Sequence, residues 1–131
     1  MMKQLDHIGV AVKSLDRVKE LAESAFKVDF PRPEGEGDFK ASWIRMGNVL
    51  VEFMEPISED GVIGRFLKKK GEGIHHICFE VDDIEAEVES YLAQGLELVT
   101  PGIMGWPGWR VAFFHPKTAF GMLIELVQTR I

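Results

Sequence analysis

Two histidines and two glutamates carry the chemistry of this chain. His7 opens the strand-like run His7-Ile8-Gly9-Val10-Ala11-Val12, and His76 opens His76-Ile77-Cys78-Phe79-Glu80-Val81. Each run leads into a helix start, Ser14-Leu15 in one case and Asp82-Asp83-Ile84 in the other. Each half then closes on a strand bearing a carboxylate, Val49-Leu50-Val51-Glu52-Phe53 and Met122-Leu123-Ile124-Glu125-Leu126. The intervals from 7 to 52 and from 76 to 125 are 45 and 49 residues, as expected of two copies of one module that differ by a small loop. One imidazole and one carboxylate per copy suggest a shared site for a divalent cation, with coordination positions left for water or substrate oxygens.

The elements that must position these groups are legible as periodicities. Asp6 to Val12 alternates as a strand, with His7, Gly9 and Ala11 on one face and Ile8, Val10 and Val12 on the other. Ser14 is a candidate N-cap for a helix whose apolar stripe is Leu15, Val18, Leu21, Ala22, Ala25 and Phe26. Pro31 to Gly37 reads as a loop. Phe39 to Met46 and Val49 to Met54 read as a hairpin about Gly47-Asn48, the second strand carrying Leu50, Glu52 and Met54 on one face. Val62, Ile63, Phe66 and Leu67 form the stripe of a short connecting helix that Gly71-Glu72-Gly73 ends.

The plan then recurs. A strand spans Ile74 to Val81, with His76, Cys78 and Glu80 on one face, and a helix uses Ile84, Val88, Tyr91 and Leu92 and stops at Gly95. Leu96 to Thr100 is expected as a short strand and Pro101 to Gly108 as a loop, before strands at Arg110 to Phe114 and Gly121 to Val127. The aromatics Phe26, Phe66 and Tyr91 are expected in the core. The modules are placed at about 4–56 and 73–128, with a connector at 57–72, inside one domain spanning 1–131. If they pair about a pseudo-twofold axis, His7 and Glu52 meet His76 and Glu125 across a common concavity.

Composition excludes several classes of function. A net charge of −6 argues against nucleic acid, whose phosphates demand clustered positive charge. Lys68-Lys69-Lys70 is the one basic run and reads as a solvated helix end. The single Cys78 excludes an internal disulfide and suits a reducing compartment. No apolar run approaches the ~20 residues of a membrane span, and the N-terminal stretch lacks the long apolar region of a signal peptide. The expectation is a soluble cytoplasmic protein without a membrane partner.

Beyond these readings, the chain resembles the vicinal oxygen chelate superfamily, which contains glyoxalase I and the methylmalonyl-CoA epimerases. The segments closest to the epimerase family are Leu5-Asp6-His7-Ile8-Gly9-Val10-Ala11-Val12, Val51-Glu52-Phe53-Met54-Glu55-Pro56, Gly73-Ile74-His75-His76 through Val81, Val111 through Lys117, and Gly121 through Leu126. The resemblance implies an α+β fold in which paired βαβββ modules curl into a cupped mixed sheet around a divalent metal (Co, Mn, Ni or Zn). It makes His7, Glu52, His76 and Glu125 the ligands. His75, on the opposite strand face from His76, is left as a packing residue or one supporting the site.

The implied activity is movement of the C2 proton of methylmalonyl-CoA through an enolate, with Glu125 as ligand and catalytic base, and a homodimer as the assembly. Glyoxalase I, which shares the His, Glu, His, Glu set, and a non-catalytic ligand-sequestering protein of the same fold are the alternatives. Epimerisation needs a second acid on the other face. Some epimerases carry a Glu where this chain has Ala41, which leaves Glu34, Glu36 or Asp38 of the preceding loop, or a water, for that role. His115 and Lys117 read equally as a turn or as contacts to the CoA or carboxylate, and Trp106 and Trp109 as packing or as a cover for the acyl chain.

Overall fold

Alternation along β1 (Met2–Ala11) buries His7, Gly9 and Ala11 and leaves Ile8 and Val10 half-buried between them. A computed structural model describes residues 1–129 of the chain, the side chain of Trp106 excepted. It resolves into two compact units, one of His7–His75 and one of Met1–Asp6 with the residues from His76 onward. Their limits fall inside β1 and β5.

In the His7–His75 unit, Ser14 caps α1 (Leu15–Leu21), its side chain accepting from the Arg17 amide at 3.2 Å. The helix widens into a π-type turn at Ala22–Phe26, which ends on Lys27 in the left-handed conformation. That turn corrects the expected stripe. A π turn holds more residues than an α turn and rotates later side chains off the helix's inner face. Leu15 and Ala22 are buried, whereas Ala25 is exposed and Phe26 is 59% exposed.

The expected loop contains a short strand, β2 (Glu34–Glu36), which pairs antiparallel with β3 (Phe39–Met46) and sets Glu36 opposite Phe39. Nothing in Glu-Gly-Glu favours a strand by propensity; the open edge of β3 supplies the hydrogen-bonding partner. β3 pairs antiparallel with β4 (Val49–Pro56), placing Trp43 opposite Glu52 and Arg45 opposite Leu50. β4 runs parallel to β1, and the strands lie in the order β2-β3-β4-β1. Helix α2 (Val62–Lys70) inserts Ile63, with Phe66 and Leu67, against Ala11, Ala41 and Met54. Val62, expected in that stripe, is 49% exposed. Lys68 to Lys70 occupy the last turn, where the helix dipole favours cations, and they are exposed.

The second unit repeats the order. β5 (Gly73–Val81) leads to α3 (Ile84–Ala93), capped by Asp83 on the Ala86 amide at 3.2 Å. β6 (Met104–Trp106), β7 (Trp109–Phe114) and β8 (Leu123–Gln128) follow, in the order β5-β8-β7-β6. Val81, Ile84, Val88, Ala112, Phe114, Ile124 and Leu126 form its core, with Tyr91 packed on Phe114 at 5.2 Å. The strand expected at 96–100 shrinks to one bridge, Leu98 to Phe114, and the expected loop after it contains β6. Met1–Asp6 joins this unit through the Met1 ammonium on Glu87 at 2.5 Å, Lys3 on Asp82 at 3.7 Å and Gln4 on Glu80 at 3.1 Å. Each half therefore runs βαβββ. No helix among the described residues is long and apolar enough to cross a membrane.

Candidate metal ligands and acids

The parallel pairing of β1 with β4 sets Gly9 opposite Glu52, so His7, two residues earlier, lies on the same face as that carboxylate. The parallel pairing of β5 with β8 sets Cys78 opposite Glu125, and His76 lies two residues earlier. The registers are equivalent, and so are the resulting pairs. His7 Nε2 stands 3.8 Å from Glu52 Oε1, and His76 Nε2 stands 3.4 Å from Glu125 Oε1. All four side chains are buried, at 5–6% exposure.

These pairs fit a divalent cation. Two ligand atoms bound at ~2.1 Å to a common ion lie ~3.0 Å apart at a right angle and ~3.4 Å apart at the tetrahedral angle, near the separations within each pair. Placing imidazole and carboxylate together in a water-poor interior is costly unless charge and polar atoms are matched, which a bound cation does. Trp43 packs edge-on against His7, ring centroids 4.8 Å apart at 77°, and so limits the rotation of that imidazole.

A further carboxyl belongs to this setting. Glu36 on β2 hydrogen-bonds to the Glu52 carboxylate and to Trp43. Burial, then the negative charge of Glu52 and the hydrogen bond to it, push the Glu36 carboxyl up to about 7, against a smaller lowering by Trp43. Of the three loop acids, Glu36 is thus the one that reaches the ligand pair. Asp38 serves structure: its carboxylate accepts from the Val62 amide at 3.2 Å, capping α2, and its carbonyl accepts from the Ile57 amide at 2.9 Å. Ala41 is buried in the apolar cluster with Met54 and Ile63 and stands opposite Glu34 across β2 and β3. The available signal was Gly35-Glu36-Gly37, a carboxyl with no bulky neighbour on either side.

The remaining candidates divide. His75 is half-buried and packs edge-on against Phe66 at 5.0 Å, on the face opposite His76. His115 precedes a 3-10 turn, donates its amide to the Glu97 carbonyl at 2.8 Å and keeps its ring 3.9 Å from the Glu97 carboxylate, while Lys117 is exposed. Trp109 packs with Phe113 against Cys78, Val111 and Val127. The side chain of Trp106 lies outside the described residues.

The family model of the Glyoxalase/Bleomycin resistance protein/Dioxygenase superfamily matches residues 6–113, and the chain belongs to that superfamily. Its fold is the vicinal oxygen chelate fold. Within the superfamily the similarity runs to methylmalonyl-CoA epimerases. The chain is 34% identical over 129 residues to the mitochondrial methylmalonyl-CoA epimerase of Dictyostelium discoideum, covering 95% of this chain and 78% of that one. It is 32% identical over 133 residues to the ethylmalonyl-CoA/methylmalonyl-CoA epimerase of Cereibacter sphaeroides, covering 98% and 99%. A solved structure of a Streptomyces coelicolor methylmalonyl-CoA epimerase variant in complex with 2-nitronate-propionyl-CoA superposes with a TM-score of 0.83 at 28% identity, covering 98% and 99%.

Proposed function

We infer that this chain is a methylmalonyl-CoA epimerase, with His7, Glu52, His76 and Glu125 as the ligands of one divalent cation. The observation that carries the reading is the pair of equivalent buried imidazole–carboxylate couples, one of them hydrogen-bonded to a third carboxyl group. The proton at C2 of the substrate lies between a thioester and a carboxylate and is only weakly acidic. When bound, a divalent cation withdraws electron density from the substrate oxygens and so acidifies that proton.

The protein supplies the rest. Glu125 accepts the C2 proton on one face, and Glu36, raised to about 7 by partial burial and by Glu52 and so protonated in part near neutral pH, donates one on the other. Trp43 holds the His7 ring in place and donates to the Glu36 carboxylate, fixing the acid against the ligand pair. Burial of the four ligands keeps bulk water from competing for the protons.

The reading extends to a single domain, a homodimer and a cytoplasmic setting, the last supported by the buried Cys78, which forms no disulfide. Co, Mn, Ni and Zn all suit the donor set. Protein loaded with each metal is incubated with one epimer of methylmalonyl-CoA in D2O. Deuterium at C2 with inversion supports the assignment, and a metal-loaded protein that shows neither refutes it.

A further inference from the structure

The two units match in register as well as in order, and they differ in what the matching positions carry. β2 and β3 pair Glu34 with Ala41 and Glu36 with Phe39, and β3 sets Trp43 opposite Glu52. β6 and β7 pair Met104 with Val111 and Trp106 with Trp109, and β7 sets Phe113 opposite Glu125. Phe113 therefore holds the place of Trp43, and Met104 that of Glu34. In the first unit the indole N–H of Trp43 is bonded to Glu36. In the second, the neighbour of the ligand carboxylate is a phenyl ring, which has no donor, and β6 carries no acid.

The sheet face around Glu125 is accordingly apolar. Cys78 lies beside it on β5 and Phe113 on β7, with Leu123 and Val127 two residues to either side on β8. Cys78 and Val127 are fully buried, in a cluster that also holds Val111. Phe113 and Leu123 are half-buried and keep surface open beside the carboxylate. Leu123 also stands opposite His76, so these two side chains border both members of the pair. A carboxylate that takes a proton from carbon stands about 3–3.5 Å from it, which puts every substituent of C2 within about 5 Å of the accepting oxygen. Two of those substituents carry oxygens that need a donor or a cation. The alkyl group needs neither, and it is the one that a wall without donors takes up.

We propose that Phe113 and Leu123 seat the alkyl group at C2 and set its size, admitting methyl in preference to ethyl. The proposal rests on the epimerase reading above and names the residues that select its substrate. The floor beneath the two side chains, Cys78, Val111 and Val127, is closed, so an added methylene finds no space and must displace the ring or the leucine. An apolar pocket discriminates one methylene by about 10–200-fold.

The test pairs rate with binding in metal-loaded protein. The kcat/KM for C2 exchange is measured with methylmalonyl-CoA and ethylmalonyl-CoA. Calorimetry gives the Kd of 2-nitronate-propionyl-CoA and of its 2-nitronate-butyryl homologue, planar analogues with no proton at C2. Wild type prefers the methyl compound by about tenfold or more on both measures. Phe113→Leu, which keeps an apolar side chain in the cluster, and Leu123→Ala each cut that preference by about threefold or more, with metal content unchanged. A purely structural role would lower both compounds alike and leave the ratio where it was. Wild type without a preference, or variants in which the ratio does not move, overturn the proposal. Analogue binding that shifts in this way in a protein that never exchanges the C2 proton keeps the alkyl seat and defeats the epimerase reading.

Discussion

Replacing Glu36 with Gln separates the two proton transfers that epimerisation requires. Gln keeps the shape of the side chain, can accept from Trp43 and can donate to the Glu52 carboxylate, so the contacts made by Glu36 have counterparts. What it loses is an exchangeable acid. A carboxyl at about 7 is half protonated at neutral pH, whereas one at the ordinary 4.5 is protonated in roughly one molecule in 300. In the metal-free protein the setting thus enriches the donor form by roughly 150-fold. A cation drawn to Glu52 would neutralise part of the charge that raises Glu36 and leave burial, the largest single cause, in place. A positioned acid contributes about 10²–10⁴ in rate, or ~3–5 kcal/mol of barrier.

The expected result for E36Q is inversion slowed by about 10²–10⁴, with C2 exchange in D2O retained for one epimer, followed by proton NMR with metal content checked in parallel. Inversion within threefold of wild type, or loss of all exchange in a variant that keeps its metal, would falsify the assignment. The same residue gives a stability signature in metal-free protein. A folded-state value above the unfolded one means a contribution present below pH 4.5 and lost as pH rises toward about 7. Because Glu36 is exposed on one side, screening reduces this to about 1 kcal/mol, or about 3–5 °C in Tm. E36Q flattens that slope.

Other substitutions test neighbouring assignments. Asp38→Ala removes the acceptor for the Val62 amide and costs about 1 kcal/mol by thermal denaturation, while inversion stays within twofold; a loss comparable to that of E36Q would return Asp38 to the catalytic set. His76→Ala lowers bound metal, read by mass spectrometry, and weakens affinity by more than about 100-fold; full occupancy would remove His76 from the ligands. Chelation of wild-type protein lowers Tm, by about 2.7 kcal/mol of stability if the metal had been at 100 times its Kd. Gly64→Ala, which in an open helix stabilises by about 1 kcal/mol, here drives a methyl into the Ser58 and Glu59 carbonyls and destabilises by about 1–3 kcal/mol. A rise in Tm would show that the α2 packing is misjudged.

The site was legible where chemistry follows from residue type and local period. Both His-Ile starts, both closing carboxylates and the faces they share follow from strand alternation, a property of the backbone that needs no partner. The helix caps at Ser14 and Asp83 were equally local. Glu36 was not singled out, because its place depends on β2 borrowing the edge of β3, and Glu-Gly-Glu carries no strand preference of its own. Phe26 went astray for a related reason: hydrophobic spacing assumes an unbroken α-helix, and the π-type turn shifts the phase.

By itself, then, the sequence determined two copies of an imidazole–carboxylate module and the strand faces on which those groups stand. Tertiary structure decided the parallel registers that put Gly9 beside Glu52 and Cys78 beside Glu125, and hence the spacing within each pair. It also decided which loop acid reaches Glu52 and which caps a helix. The physical reason is that side-chain alternation is written into each strand by its own covalent geometry, whereas register and edge pairing depend on hydrogen bonds to a segment distant in sequence.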